Sequence, residues 1–315
     1  MTKQYKRTNR VGFYLPLFLI VVPTVVAMRT VAYLDHMNKF GHFNSTSLIM
    51  AANITTSVFA ILFLLHSLSH HRNDSVPQEG FSNYPTYVPS GILSVATIFV
   101  VYELISSMIP TFKSIASYGE KISIESIIVI IAPVAGVASV VSLLLNIVIE
   151  SKMSQIKSLF GIFTIFFLAL YSISIYFDMS SAANVQQRSL TILAIILSAA
   201  FFLFETRISL GRSKWHAYVG FGLSSATLLY YASIPALIYY FKNGSIVPGS
   251  SIIQLLFMLA LGIYITSRVF LLAYAHEDEV CELTDQILDM VHERNKNSAS
   301  HARVNNLKED NDSEE

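Results

Sequence analysis

One carboxyl group lies deep within an apolar segment of the sequence. Glu103 is the only charged residue between Pro89 and Phe112, and at about 1.5 Å of rise per residue it would lie roughly 21 Å from the start of such a helix. An ionisable side chain at that depth in a membrane usually faces a polar interior or a water cavity. Glu103 is therefore a candidate for proton transfer or cation binding, and Ser106 and Ser107, one turn further on, would line the same site. A structural carboxyl that joins two helices is the alternative.

Two arginines are the candidate partners of this carboxyl group. Arg29 follows the first apolar segment and is the nearer of the two to Glu103 in depth. Arg268 lies close enough to the end of the last apolar segment for its side chain to reach the membrane interface. We therefore expect Arg29 to pair with Glu103 and to complete a substrate, ion or proton site inside the membrane.

A cluster of histidines forms a second candidate site. His66, His70 and His71 have the spacing H-x-x-x-H-H, which places His66 and His70 on one helical face, and Asp74 extends that face if the helix continues. Imidazole and carboxylate groups are ligands for zinc and iron. The string resembles one histidine box of the membrane fatty-acid desaturases and hydroxylases, a family that uses several boxes, and it covers six residues. The resemblance implies a membrane metalloenzyme. A polar helix end at the membrane interface is the alternative.

The composition indicates which environment surrounds these groups. Of 315 residues, 53% are hydrophobic and only 13% are charged, against about 25% in an ordinary soluble domain. This excludes a disordered chain, a nucleic-acid binder that works by bulk positive charge, and a soluble domain with a normally charged surface. The sequence thus predicts an integral membrane protein whose main partner is the lipid bilayer.

Long apolar segments are the elements that would position both sites. A membrane-spanning helix needs about 20 mostly apolar residues, and backbone polar groups in lipid must be bonded within the segment, which favours helices. The predicted fold class is therefore all-α, a polytopic transmembrane helix bundle of about eight spans. The transmembrane domain is predicted at residues 11–275, with spans at 11–28, 47–68, 89–112, 126–149, 158–177, 189–204, 215–241 and 252–275.

Lys and Arg residues in the connecting segments predict the orientation. An even number of spans places both termini on one side, and with the N-terminus inside, 15 Lys and Arg residues lie on the inner side and 6 on the outer side. Cytoplasmic segments carry the excess of these residues. We therefore expect both termini to be cytoplasmic, with residues 1–10 as a basic leader, and the membrane to be the cytoplasmic (inner) membrane if the source is bacterial. A cleaved signal peptide over the first span is the alternative.

The net charge of zero hides a separation of charge along the chain. Residues 276–315 carry 12 of the 21 acidic residues but only 4 of the 21 basic ones. Apolar side chains at heptad spacing predict an amphipathic cytoplasmic helix over residues 276–294, which would bind a second copy of the chain or a cytoplasmic partner. A simple solubilising extension is the alternative. Residues 295–315 predict a disordered acidic tail. The apolar heptad positions are Val280, Leu283, Ile287 and Met290.

A compact basic loop between the sixth and seventh spans is a further contact site. It contains Arg207, Arg212 and Lys214. Such clusters on the cytoplasmic side bind anionic lipid headgroups or an acidic segment of a partner. An ordinary orientation signal is the alternative.

Three functions are compatible with these patterns. The first is transport by a permease-type protein with a polar intramembrane site at Glu103. The second is a membrane sensor or scaffold that acts through residues 276–294, and the third is a metalloenzyme built on the histidine cluster. The chain contains no phosphate-binding glycine loop, nucleophile elbow or kinase signature. We therefore expect no resident cofactor, and enzymatic activity is the less favoured interpretation.

Overall fold

The computed structural model is made up of long α-helices over the residues that it describes. It describes residues 11–37, 43, 47–69, 87–118, 124–148, 154–177, 185–210 and 215–271. The basic leader, the cytoplasmic helix predicted at residues 276–294 and the acidic tail lie outside this part of the chain. The described helices are α1 (Val11–His36), α2 (Ser47–Ser69), α3 (Tyr87–Tyr118), α4 (Ile124–Val148), α5 (Ser154–Phe177), α6 (Gln186–Ser209), α7 (Trp215–Asn243) and α8 (Ile252–Leu271).

All eight of these helices are long and apolar enough to cross a membrane. Helix is the regular secondary structure throughout the described ranges, apart from an isolated antiparallel bridge between Met37 and Phe43 in the connection from α1 to α2. The predicted all-helical class is therefore confirmed for the described residues, and eight such helices are compatible with a multi-pass membrane protein.

Several helices extend beyond the spans predicted from hydropathy. Helix α1 continues past Arg29, and α6 includes both Arg188 and Glu205. A span predicted from hydropathy ends at a charged residue, because a charge that is exposed to lipid is energetically costly. Here the three charged side chains are buried inside the bundle, at 9% exposure or less, where other helices supply polar contacts.

Successive helices run in opposite directions. Arg188, near the start of α6, donates to a carbonyl near the end of α5, and Gly161, near the start of α5, lies against Thr206, near the end of α6. We call the end of the bundle where α1 begins the proximal end. The distal end is the one where α1, α3, α5 and α7 finish and α2, α4, α6 and α8 begin.

Helix α7 lies at the centre of the helix bundle. In α7, 78% of the apolar stretch that could cross a membrane is buried inside the bundle, against 28% in α2 and 33% in α3. It packs against α1, α2 and α6, whereas α3, α4, α5 and α6 are neighbours in chain order. The outer faces of α2, α3 and α4 carry exposed large apolar side chains such as Ile54, Tyr102 and Val134, which suits contact with lipid.

Glycines allow α8 to approach α7 closely. A Cβ atom added at Gly222 of α7 would lie 2.6 Å from Cγ2 of Val269, and one added at Gly262 of α8 would lie 3.0 Å from the Tyr230 ring. Small residues at helix contacts are the usual means of close packing in membranes, where lipid is as apolar as the side chains. The α7–α8 contact therefore depends on residues that have no side chain.

Candidate functional site

A fully buried arginine forms a polar cluster near the distal end of the bundle. Arg29, on α1, is 0% exposed. Its Nη2 donates to the Tyr33 hydroxyl (3.0 Å) and to Oε1 of Gln187 (3.1 Å), and the Tyr33 hydroxyl also donates to Gln187 Oε1 (2.8 Å). The guanidinium carbon lies 4.3 Å from the centroid of the Tyr231 ring, within the range of a cation–π contact. Helices α1, α6 and α7 thus enclose one positive charge, and we call these four residues the Arg29 cluster.

Further hydrogen bonds fix the neutral members of the Arg29 cluster. Nε2 of Gln187 donates to the carbonyl of Ala232 (2.9 Å), in a part of α7 where Pro235 has no N–H to offer the carbonyl of Tyr231. The Tyr231 hydroxyl donates to Oδ1 of Asn53 on α2 (2.6 Å). The cluster therefore links four helices through side chains that are all uncharged except Arg29.

The charge of Arg29 is not balanced by a carboxylate among its contacts in the described residues. The groups that accept from it are neutral, and its Nε and Nη1 atoms are buried without a hydrogen-bond partner there. Burying a charged donor without acceptors is expensive, since the protein does not replace the hydrogen bonds lost from water. Ionisable residues buried in this way inside a membrane are commonly functional, which makes the Arg29 cluster a candidate site.

The start of α6 adds positive potential at the same place. Gln187 is the second residue of α6, where the positive end of the helix dipole lies. The preceding Val185 is apolar and makes no capping hydrogen bond to the first turn. Arg188 faces a different group of atoms, because its Nε donates to the Ile175 carbonyl (3.1 Å) and its Nη2 to the Tyr176 carbonyl. These carbonyls belong to the last turn of α5, whose negative end accommodates a cation.

Glu103 lies beside the start of α8. The Ser251 hydroxyl donates to Glu103 Oε2 (3.3 Å) and accepts from the backbone N–H of Gln254 (3.1 Å). The Gln254 side chain accepts in return from the Ser251 N–H (3.2 Å). This reciprocal pair is a capping box, and a carboxylate next to it is stabilised by the positive end of α8. Glu103 thus connects α3 to the first turn of α8.

The structure does not bring Arg29 and Glu103 together, contrary to the pairing expected from their depths. The polar contacts of Arg29 are with Tyr33 and Gln187. Equal depth along two helices does not make them neighbours: α1 packs against α2 and α7, whereas α3 packs against α4.

Ser106 and Ser107 also lie away from the interior. Both are exposed, and each hydroxyl donates to a carbonyl of its own helix, that of Tyr102 (2.9 Å) and that of Leu104 (2.7 Å) respectively. Glu103, by contrast, is only partly exposed. The structure therefore assigns the two serines to the outer face of α3.

An ion pair forms a second polar cluster near the proximal end. Arg268 Nε of α8 lies 2.6 Å from Glu205 Oε1 of α6, with side-chain exposures of 13% and 11%. The Tyr264 hydroxyl donates to the same carboxylate (3.1 Å), and Tyr218 at the start of α7 is close enough to interact electrostatically with both charges. Arg268 therefore points into the bundle, instead of extending to the membrane interface as its position in the sequence had indicated. We call these four residues the Glu205 cluster.

Buried hydroxyl groups on α7 lie between the two clusters. Ser225 is 2.7 Å from Ser198 of α6, oxygen to oxygen, and Ser224 donates to the Ala60 carbonyl of α2 (2.8 Å). Thr227 and Ser233 are buried as well and donate to carbonyls of their own helix. The most buried helix of the unit is thus also lined with polar groups along much of its length.

The histidine cluster and most of the basic loop fall outside what the structure describes. His66 belongs to α2, but its side chain is not described, and His70, His71 and Asp74 lie outside the described residues. Within the described ranges there is no group of three or more residues suited to hold a metal.

Of the basic loop, the structure describes Arg207. It belongs to α6, and its guanidinium carbon lies 6.0 Å from the Phe204 ring centroid. Arg212 and Lys214 lie in the undescribed connection to α7, and the heptad positions from Val280 to Met290 lie beyond residue 271.

Sequence reasoning missed most partners of the buried charges. Gln187, Tyr33 and Tyr231 are neutral residues near helix ends, where amides and tyrosines are common. Glu205 directly follows the sixth predicted span, residues 189–204. The sequence did hold a signal for the pairing of Glu205 with Arg268, because the two residues have opposite charges and both lie near the predicted inner ends of their spans. The capping box was also visible as Ser251-Ile-Ile-Gln254 before an apolar run.

In comparisons with known proteins, no family model, no curated protein and no solved structure matches the chain.

Proposed function

We propose that the protein is a permease-type transporter in which a small polar solute passes along α7. The supporting observation is that the most buried helix carries a series of buried hydroxyl groups with a charged cluster near each end, the Arg29 cluster distally and the Glu205 cluster proximally. Polar and ionisable groups inside a membrane are costly and commonly mark solute or ion pathways. A purely structural core would be filled more cheaply by apolar side chains.

Helix α8 is the element that would move during transport. It is attached to α3 at its start through Ser251 and Glu103, and to α6 near its end through Arg268 and Glu205. Between these two contacts it lies against α7 across glycines. Breaking either polar contact would free one end of α8 while the other stays attached, which is a simple way to open one end of a path at a time.

Cysteine accessibility tests this proposal without knowledge of the solute. Cys281 is the only native cysteine, so Cys281→Ser gives a thiol-free chain, into which Ser225→Cys is introduced. We expect a membrane-impermeant methanethiosulfonate reagent to modify this cysteine, because the path along α7 admits water. The matched control is Ala132→Cys on α4, equally buried at 0% exposure but distant in sequence from the α7 hydroxyl groups, which should stay unmodified. An inert Ser225→Cys, with the protein correctly folded, would refute a path along α7.

Glu103 has a role in this proposal as the attachment point of α8. Glu103→Gln keeps the size of the side chain and removes its charge, which weakens the bond from Ser251 and the interaction with the start of α8. We expect normal expression and an altered rate of Ser225→Cys modification. Ser106→Ala, on the exposed face of the same helix, should leave that rate unchanged.

A sensor function is the second candidate, and the Glu205–Arg268 contact favours it. This ion pair holds α8 to α6 three residues before Leu271, and residues 276–294, predicted to bind a cytoplasmic partner, follow in the sequence. A variant truncated after Ala275 distinguishes the transporter hypothesis from the sensor hypothesis. A transporter should retain Ser225→Cys modification, whereas a sensor should lose recovery of its partner.

A further inference from the structure

We propose that Arg29 and the first turn of α6 bind an anionic oxygen group, a carboxylate or a phosphate. The inference rests on the proposed function in that the anion would belong to the transported solute. The same chemistry also fits the phosphate of a lipid headgroup, and the experiment below separates the two sources.

The first reason is the number of hydrogen-bond donors left over at Arg29. A guanidinium group carries five N–H donors, and Nη2 is the nitrogen that Tyr33 and Gln187 engage. Nε and Nη1, which carry three of those donors, are buried and have no hydrogen-bond partner among the described residues. Charged oxygen atoms are the strongest acceptors for such donors.

The second reason is the excess of positive charge around the same point. The partners of Arg29 are an amide and the two phenols of Tyr33 and Tyr231, and Gln187 belongs to the first turn of α6, where the positive end of the helix dipole lies. Val185 offers the first turn no side-chain cap. A helix start without a cap is a ready anion site, and here it lies beside a buried guanidinium group. An anion would balance both at once.

Thermal unfolding of the purified full-length protein in detergent tests the site. The probes are sodium phosphate and sodium acetate, each compared with sodium chloride at equal ionic strength. We expect at least one of them to raise the unfolding temperature by about 3 °C, since a ligand stabilises the state that binds it. Arg29→Gln should abolish this rise, and Lys242→Gln, which removes a positive charge from an exposed position of α7, should keep it. No rise above the chloride control with phosphate, acetate or phosphatidylglycerol, or a full rise in Arg29→Gln, would overturn the proposal.

The source of the anion is distinguished by a lipid comparison in the same assay. A rise with phosphatidylglycerol but not with phosphatidylcholine, in the absence of any response to phosphate or acetate, assigns the site to lipid headgroups. A rise with phosphate or acetate alone assigns it to a soluble solute. Either result must disappear in Arg29→Gln for the site to stand.

A second variant covers the case in which Arg29→Gln does not fold. Gln187→Glu places a carboxylate where Arg29 already donates, so the protein should become more stable without ligand and lose its response to the probes. Gln186→Glu is the matched control, because it adds the same charge to the same turn on a half-buried residue outside the Arg29 contacts. A Gln187→Glu variant with the full response would overturn the site. Binding of phosphate together with an inert Ser225→Cys would instead refute transport and leave the site intact.

Discussion

At the scale of single residues, the charged groups inside the bundle differ in how well they are balanced. Arg268 has the Glu205 carboxylate, and Arg188 has the carbonyl groups that end α5. Glu103 has Ser251 and the positive end of α8. Arg29 is the exception, because its Nε and Nη1 atoms are buried without a hydrogen-bond partner within the described part of the chain. This difference supports the proposal that Arg29 binds a ligand.

The Glu205–Arg268 pair gives a direct prediction for stability. Glu205→Gln leaves the Arg268 charge buried without its carboxylate, and breaking such a pair costs about 3 kcal/mol. The free energy of unfolding, measured by titration with sodium dodecyl sulfate, should fall by about that amount. The double variant Glu205→Gln with Arg268→Gln should recover part of the loss because no unpaired charge remains. A single variant as stable as the original protein would show that the pair is not formed.

The sequence could identify unusual residues but not their partners. Glu103 and Arg29 stood out because each interrupts or ends an apolar segment, and both prove to contact other helices. Which contacts they form depends on which helices are adjacent, and hydropathy carries no information about that. Arg29 also shows the limit of depth as a criterion, since its nearest partners are a tyrosine one turn away and a glutamine on α6.

At the scale of helices, the apolar segments predicted the elements well and their ends poorly. All eight spans contain a helix, since lipid leaves the backbone few alternatives. The end of α1 was predicted eight residues too early because Arg29 looked like the membrane boundary, whereas α1 continues to His36. A charge is compatible with a helix inside the bundle when neighbouring helices accept its hydrogen bonds, and this is a property of the tertiary structure.

The start of α8 offers a test of helix capping. Ser251→Ala removes both the cap of α8 and the donor to Glu103, and the loss of a capping serine costs about 1 kcal/mol. We expect a fall of that size in unfolding free energy and faster hydrogen exchange in the first turn of α8. Ser251→Thr, which keeps a hydroxyl group, should behave nearly as the original. Unchanged exchange in Ser251→Ala would contradict the capping role.

The contact between α7 and α8 predicts a strong effect from a single methyl group. Gly222→Ala would place a Cβ atom 2.6 Å from Val269 Cγ2, at a point where the Phe201 ring is also close. Overpacking of this kind costs about 1–3 kcal/mol. Gly91→Ala is the control, since its nearest atom beyond its own helix backbone lies at 4.0 Å and the variant should unfold like the original. Equal stability of both variants would mean that α8 does not pack so closely.

At the scale of the whole molecule, the orientation in the membrane remains a prediction from Lys and Arg residues. It places the connection between α7 and α8 outside and both termini inside. Ser245, exposed in this connection, should therefore react as Ser245→Cys with an impermeant reagent added to intact cells. An N-terminal tag should be accessible only after lysis. The reverse pattern would mean that the distal end of the bundle, with the Arg29 cluster, faces the cytoplasm.

We propose that the Arg29 cluster opens into a polar path along α7. One rate measurement tests this proposal. The rate at which the impermeant thiol reagent modifies Ser225→Cys, in the Cys281→Ser background, is compared in sodium phosphate and in sodium chloride at equal ionic strength. We predict modification in chloride and a severalfold change of its rate in phosphate, with the effect of phosphate absent in Arg29→Gln. A cysteine that stays unmodified in both salts, in a folded protein, would contradict the account.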